Sequence, residues 1–548
     1  METESGGMES AEGSTDPQRD ATSIAPSIWR RALTAAFHPQ QGLWDTLILL
    51  LAAVLRLTAL SLKPPHFDEG VNGYFLDEMA RNGFYHYDPT NFHGPFHFYV
   101  LFLMQSLFGR EVWALRLPLV LASLVCVALL LFSFRRFISV RASRIAALAM
   151  AVSPGFVFYA RYAIHETWLV LSLIAFAAGA AGLWSTGRRR DLWLAAAGFC
   201  GMLLTKETWV IHIVAFLLAA GTLWIIERFS PSAEWPRSGP QFNLNDLTTA
   251  IAIGAAVVVF FYSGCLLDPP GIGGFFMAFA KWTHTGAAGE SGHEKDWWYW
   301  LQLLGEYEWP ALLGAVASCA VIAPHVNRFV RWLAISSLGT LVAYSIVPYK
   351  TPWCLISFAW PFFLVFGVAV EWVAHRIDRW TIGALAGLVC AFSLAKCRIL
   401  NFVKFSDDRE PYVYVQSTPD VLKVVEPLRW LARRNPDARF RPGHIIEGEH
   451  HPLIWLLGDW PEITWGDREA APEPLEVDWL LVDTESSSRI EQGLSQSYFR
   501  ERLHLRGMAP DECYLYLRAA VFADHYPGRE PEFRPSMRLK IEKGPAPE

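Results

Sequence analysis

Apolar runs long enough to cross a bilayer recur between residues 44 and 396, separated by short polar or charged segments. A spanning helix needs about 20 mostly apolar residues to cover roughly 30 Å of hydrocarbon. On that measure the sequence predicts eleven spans, near 44–62, 112–133, 145–158, 167–184, 192–205, 208–226, 247–266, 309–324, 332–348, 353–372 and 381–396. The runs 145–158 and 192–205 are short, so their ends must be buried in the bundle if they cross. Ahead of the first span, Met1 to Gln40 is acidic, contains Ser and Gly and has no apolar run. That pattern predicts a disordered cytoplasmic tail over 1–42 and no cleavable signal peptide. After 396 the pattern turns soluble. Pro419 to Arg434 carries Val421, Val425, Leu428 and Ala432 at helical spacing, with Pro427 as a point of kinking. His444–Ile446, Ile463–Trp465, Trp479–Val482 and Tyr514–Leu517 read as short strands. The expected organisation is a polytopic α-helical membrane domain over 43–396 and a small α/β domain over 397–548.

Composition agrees: 52% hydrophobic against 18% charged residues over 548 positions leaves too little polar surface for a water-soluble chain. The net charge of −6 gives no electrostatic case for nucleic acid. Loop charge sets the orientation. Loops 134–144, 185–191, 227–246, 325–331 and 373–380 hold 13 Lys/Arg in 53 residues, and the alternate loops hold 8 in 105. The richer set is cytoplasmic. Loops 63–111 and 267–308 and the C-terminal domain are then extracytoplasmic. The eight cysteines show no CxxC or Cys/His metal spacing.

With that orientation the unusual chemistry gathers on one side. Asp68, Glu69, His93, Arg161, His165, Glu166, Lys206, Glu207 and Lys350 all lie just past the outer ends of helices. Loop 63–111 opens with Pro64-Pro65-His66-Phe67-Asp68-Glu69-Gly70. It predicts a short helix over Gly70–Asn82, with Val71, Tyr74, Phe75 and Met79 on one side and Asn72 and Glu78 on the other. The apolar stretch Phe96–Phe108 is expected to lie in the interface. A carboxylate at that depth is costly unless hydrated, paired or used. Two readings stand for Asp68 and Glu69: a cap on the following helix, or the general base that deprotonates an acceptor hydroxyl attacking a sugar anomeric carbon.

Pro65-His66-Phe67-Asp68-Glu69, His93-Gly94-Pro95, Arg116-Leu117-Pro118 and Tyr159-Ala160-Arg161-Tyr162 together resemble the class C membrane glycosyltransferases. Within that class the chain is similar to the protein O-mannosyltransferase and lipid A aminoarabinose transferase relatives. It looks closest to a prokaryotic subgroup associated with lipid-linked glycan flipping. The resemblance covers residues 44–230 well and the remaining spans loosely. It implies a class C glycosyltransferase fold of about 11 transmembrane helices, a polyprenyl-phosphate sugar donor and a catalytic Asp in the first outer loop, which maps onto Asp68 with Glu69 as its neighbour.

Arg161 matches the family's Arg, whereas the acidic residue that usually follows appears here as His165-Glu166. As i, i+4 neighbours on a helix, Arg161 and His165 would share a face, with Glu166 beside them, so a structural Arg161–Glu166 ion pair is the competing reading. Thr205-Lys206-Glu207-Thr208 resembles the family's Thr-Lys pair. Lys206 and Arg161 suit a departing lipid phosphate, whose growing charge cations stabilise most in the transition state; snorkelling is the alternative for Lys206. Pro348-Tyr349-Lys350-Thr351-Pro352-Trp353 resembles a donor-side turn, and Lys350 equally fits an interfacial anchor. The expected site is thus Asp68, Glu69 and Glu166 as catalytic acids, Arg161, Lys206 and Lys350 on the donor phosphate, and His93, His165 and Glu207 in support.

Loop 267–308, with its glycine-rich Gly271–Gly274 and its Asp296-Trp297-Trp298-Tyr299-Trp300, suggests a mobile flap. His284, His293 and the cluster His444, Glu447, Glu449, His450 and His451 offer metal-ligand chemistry without specific spacing, so a divalent metal stays open as a cofactor. The expected function is inverting transfer of a sugar from a polyprenyl-phosphate donor to a protein, lipid or glycan acceptor at the outer face of the cell (inner) membrane. The rivals are a lipid-linked glycan flippase and a non-catalytic scaffold for glycan assembly. Transport favours ionisable groups near the midplane and repeated halves. Here Arg56 is the clearest mid-span charge and no repeat is visible.

Overall fold

The computed structural model describes residues 42–229, 243–287, 292–322, 326–446, 451–466, 477–507 and 512–535. Of the first 47 residues those described, 42–47, begin helix α1 (Gly42–Leu57); the chain from Ile48 onward forms one compact unit. The tail expected over 1–42 lies, but for its last residue, outside the described residues.

All eleven apolar runs are helical. They form α1, then α4 (Val112–Phe132), the pair α5 (Val140–Val152) and α6 (Pro154–Ala160), α7 (Glu166–Thr186), α8 (Arg189–Leu203), α9 (Trp209–Phe229) and α10 (Leu244–Tyr262). The last four are α13 (Trp309–Ala320), α14 (Arg328–Ile346), α15 (Leu355–Ala374) and α16 (Arg379–Phe402). Among the described residues seven helices are long and apolar enough to cross a membrane, eight if the bent pair counts as one. The other expected spans are helical but shorter. With 12 residues α13 reaches only about 18 Å at 1.5 Å per residue. The 59° bend between α5 and α6 falls at Ser153-Pro154, where proline cannot continue the hydrogen-bond ladder and Ser153 caps the new helix through Phe156 N–H. The last helix runs past 396 to Phe402.

Three buried arginines brace the bundle around α1. Arg56 donates to the carbonyls of Met150 and Ala151 at the end of α5 (3.2 and 2.9 Å). Arg161 donates to the carbonyls of Leu55, Thr58 and Ala59, and Arg116, from α4, to those of Leu60, Lys63 and Pro64. The last turn of a helix leaves carbonyls without partners, and inside a membrane only protein donors can satisfy them.

The first long loop, 63–111, holds α2 (Phe67–Asn82) and α3 (Phe96–Phe108). Helix α2 starts three residues earlier than expected because His66 and Glu69 form a capping box. Its buried face is also not the expected one. Asn72, Gly73, Leu76 and Met79 face inward with Glu69 and Gly70, and Tyr74 is exposed. The glycines decide this. A Cβ on Gly70 would lie 2.4 Å from Pro452 Cα, and one on Gly73 2.1 Å from Trp455 Cγ, so the C-terminal domain seats itself directly on the α2 backbone. The expected flap is instead largely helical, as α11 (Gly271–Ala287) and α12 (Tyr299–Tyr307). Gly271 and Gly274 let α11 pack closely against Tyr262 and Tyr87.

The C-terminal domain combines α17 (Asp420–Arg434) with a five-stranded sheet of order β2-β1-β3-β5-β4. Strand β1 (Gly443–Ile446) is parallel to β2 (Ile463–Gly466) and β3 (Trp479–Asp483). Strand β5 (Glu512–Arg518) is antiparallel to β3 and to β4 (Tyr498–His504), the strand the sequence reading missed. Pro427 is accommodated inside α17. The short helix α18 (Leu453–Leu456) carries Trp455, whose indole N–H donates to Gln105 (2.7 Å), while Arg110 donates to the Trp455 carbonyl (2.9 Å) and to Asp77.

Gly73→Ala is expected to destabilise this seat by roughly 1–3 kcal/mol through overpacking. Hydrogen exchange in detergent should quicken over 67–82 and 451–458, whereas Gly221→Ala, with nothing near its Cβ position, should leave it unchanged. Unaltered exchange in Gly73→Ala would contradict the docking described.

Candidate active site

A cavity of about 560 Å³ opens where the start of α2, the start of α7, the α8–α9 turn and the turn after α14 converge. Six of the nine expected residues line it: Asp68, His93, His165, Glu166, Lys206 and Glu207. Rings surround them, among them Phe67, Phe92, Tyr349 and Trp353.

The adjacent acids Asp68 and Glu69 separate completely. Glu69 is buried, and its oxygens receive Arg116 Nε (2.8 Å), Arg116 Nη2 (2.6 Å), Ala163 N–H (2.9 Å) and His66 N–H (2.8 Å). Burial pushes its carboxyl up, but the Arg116 guanidinium outweighs burial and holds it at about 2. Glu69 is thus a cap and half of a buried ion pair, and it does not line the cavity. Asp68, one residue on, points the other way. Its side chain is 39% exposed, and Tyr162 donates its hydroxyl to Oδ2 at 2.7 Å.

Glu166 opens α7 and forms a buried ion pair with Lys206 in the α8–α9 turn. Burial lowers the Lys206 ammonium, but Glu166 outweighs it and keeps Lys206 well above the ordinary lysine value. Next to it Glu207 pairs with His93 Nδ1 at 3.0 Å. Burial raises the Glu207 carboxyl; His93 more than compensates, and the net shift is downward. The His165 ring packs between those of His93 (4.6 Å) and His97 (4.2 Å). Burial, with the neighbouring histidines and Lys206, lowers its basicity well below the usual range. The cavity therefore presents three carboxylates and one lysine, and Glu166 already occupies that lysine.

Three expected residues stand elsewhere. Arg161 follows the end of α6 and is spent on α1 carbonyls, with its guanidinium over the Phe402 ring (4.5 Å). The segment 161–165 is a turn between α6 and α7, so Arg161 and His165 do not share a helical face, and Glu166 pairs with Lys206 rather than Arg161. Lys350 Nζ donates to the carbonyls of Val347 and Lys295; its neighbours Tyr349, Thr351 and Trp353 reach the cavity instead. His66, His97 and Tyr162 were not assigned from sequence. His97 receives the Trp168 indole N–H at Nδ1 (3.1 Å), and its ring lies tilted against that of His165.

Among the described residues no group of three or more His, Cys, Asp or Glu is arranged to hold a metal ion. His293 bonds Tyr414 (2.6 Å), His444 bonds Thr464 (2.8 Å) and the His451 ring packs on Phe67 (5.2 Å). His284 lies exposed on α11, and Glu447, Glu449 and His450 are outside the described residues.

A multi-helix membrane domain, an amphipathic first long loop bearing an open aspartate, and a C-terminal domain seated on that loop make up the architecture. The dolichyl-phosphate-mannose-protein mannosyltransferase family (PMT_2) matches residues 92–231. The fold is that of ArnT from Cupriavidus metallidurans. The structure bound to undecaprenyl phosphate aligns with a TM-score of 0.56 at 15% identity over 87% of this chain and 98% of that one. The apo structure aligns with a TM-score of 0.56 at 14% identity over 88% and 99%. No curated protein matches the sequence.

The Glu69 assignment predicts an acid-sensitive stability. With its folded value near 2 against an ordinary 4.5, Glu69 contributes stability that is fully present above about pH 4.5 and is lost as pH falls towards 2. A displacement of that size is worth on the order of 3 kcal/mol. Thermal unfolding in detergent between pH 6 and 3 should show a flatter acid limb in Glu69→Gln; an unchanged slope would contradict the assignment.

Proposed function

We propose that this chain is an inverting glycosyltransferase that moves a sugar from a polyprenyl-phosphate donor to an acceptor at the extracytoplasmic face of the cell membrane. The observation that carries the reading is Asp68, the one member of the acidic pair left open to the cavity, which Lys206 also lines. Asp68 takes the acceptor's hydroxyl proton as the new bond to the anomeric carbon forms. The bond from that carbon to the phosphate oxygen breaks, and its electron pair leaves with the lipid phosphate. The similarity to an ArnT structure bound to undecaprenyl phosphate supports the donor class, and the loop charge bias supports the orientation.

Lys206 is the cation for the departing phosphate. Because Glu166 holds it, the phosphate competes with that carboxylate, and Glu166 retunes Lys206 rather than acting as a second base. The His93–Glu207 pair borders the same turn and supports its geometry. Flat rings such as Tyr349 and Trp353 suit a sugar face at the cavity wall.

Purified chain in lipid vesicles, offered a panel of radiolabelled polyprenyl-phosphate sugars, is expected to transfer sugar from at least one. Asp68→Asn should reduce kcat by about 10²- to 10⁴-fold with donor binding kept, whereas Lys206→Ala should weaken the donor as well. Full turnover in Asp68→Asn would sink the base assignment. No transfer with any donor, alongside movement of labelled lipid across the bilayer or recruitment of a partner enzyme, would favour a flippase or scaffold.

A further inference from the structure

Tyr162 stands between two groups that both want its single hydroxyl hydrogen. Its oxygen is 2.7 Å from Asp68 Oδ2 and 2.5 Å from His66 Nδ1. The count of hydrogens around His66 decides what these contacts mean. Nε2 is 2.7 Å from the Tyr414 carbonyl oxygen, which can only accept, so Nε2 carries a hydrogen. Nδ1 accepts the Asp68 backbone N–H at 3.0 Å, so in a neutral ring any hydrogen from the phenol shares the one lone pair that this N–H already uses. Burial lowers the basicity of His66, with Asp68 opposing, so a second ring proton is disfavoured.

When Asp68 is ionised, the Tyr162 hydrogen belongs on the carboxylate, the stronger acceptor. The phenol oxygen and Nδ1 then face each other with no hydrogen between them. When Asp68 is protonated at Oδ2, it donates to the phenol oxygen, and the phenol hydrogen turns to Nδ1. Both short contacts of the phenol oxygen carry a hydrogen only in that second state, in which Nδ1 shares its lone pair between the Asp68 N–H and the phenol. We propose that Tyr162 is a positioning residue whose hydroxyl turns from Asp68 to His66 as Asp68 takes the acceptor's proton, so that His66 stabilises the proton-loaded base. This rests on the reading of Asp68 as the base. The balance is simple: one proton passes from acceptor to Asp68, none leaves the three residues, and the Tyr162 hydrogen only changes its acceptor.

The surroundings are fixed. Lys63 Nζ lies 3.8 Å from the Phe158 ring centroid and 5.0 Å from that of Tyr162. Glu69 is held by Arg116, and Trp353 sets its edge against both His66 and Tyr162. On the far side of Asp68 stand His293, bonded to the Tyr414 hydroxyl, and Tyr349, whose own ionisation the Asp68 charge opposes.

The test is the acidic limb of the kcat–pH profile, measured on the full chain in vesicles with a reactive polyprenyl-phosphate sugar. Tyr162→Phe removes the charge-assisted bond to the ionised base along with the neutral bonds made in the protonated state; the charge-assisted bond is the strongest of them, so the limb is expected to move up, by at most about one pH unit. His66→Leu removes only the bond that favours the protonated base, so the limb should move down while kcat falls roughly tenfold and donor KM stays within about threefold. His66→Asn keeps an acceptor near the Nδ1 position and should return the limb towards that of wild type. Should His66→Leu fail to fold, for want of its helix cap, Tyr162→Phe and His66→Asn still decide the matter. Limbs that move in the same direction in Tyr162→Phe and His66→Leu, or that stay fixed in Tyr162→Phe, overturn the proposal. Wild-type activity in Asp68→Asn would instead overturn the base reading beneath it.

Discussion

The buried pair of Arg116 and Glu69 is the constraint on which the rest of this structure depends. Arg116 sends its donors to three carbonyls after the end of α1 and to both oxygens of Glu69 at the start of α2. In a low-dielectric interior either charge alone is prohibitive, and half of the pair is far worse than the whole. The pair thus joins the end of the first membrane helix to the first turn of the outer-loop helix with little angular freedom. Asp68 sits in that first turn, so its direction follows from its neighbour's ion pair.

The same division of labour recurs across the cavity. Glu166 and Glu207 each have a cationic or imidazole partner, Lys206 and His93; the first pair is buried and the second half-buried. Asp68 differs in accepting, among the described residues, the hydroxyl of Tyr162 on its carboxylate, with His66 Nδ1 3.8 Å away, and in being partly open. In the proposed transfer reaction the open aspartate would act as the base and the lysine would meet the departing phosphate, while the other acids of the cavity stay paired.

Much of this was legible in the sequence. All the apolar runs proved helical, and six of the nine acids, cations and histidines gathered at one set of helix ends line the cavity. What the pattern missed was set by close tertiary contact. Gly70 and Gly73 turned α2 onto its less apolar face because Pro452 and Trp455 press on its backbone. Arg161 fits the family motif, yet the orphan carbonyls of α1 hold its side chain, a demand invisible until the helices are packed. Strand β4 escaped notice because Arg500-Glu501-Arg502 masks its alternation at a sheet edge. Glycines read as marking a flap instead let α11 pack closely on Tyr262 and Tyr87.

The central claim is that the donor's reacting carbon lies between Asp68 and Lys206. The most direct measurement is an electron cryomicroscopy structure of the chain with a phosphonate analogue of a polyprenyl-phosphate sugar, in which carbon replaces the cleavable oxygen. The account predicts the phosphonate on Lys206, released from Glu166, and an acceptor-sized gap of about 3–3.5 Å next to the anomeric carbon on the Asp68 side. A phosphonate bound elsewhere while Lys206 stays on Glu166 would contradict it.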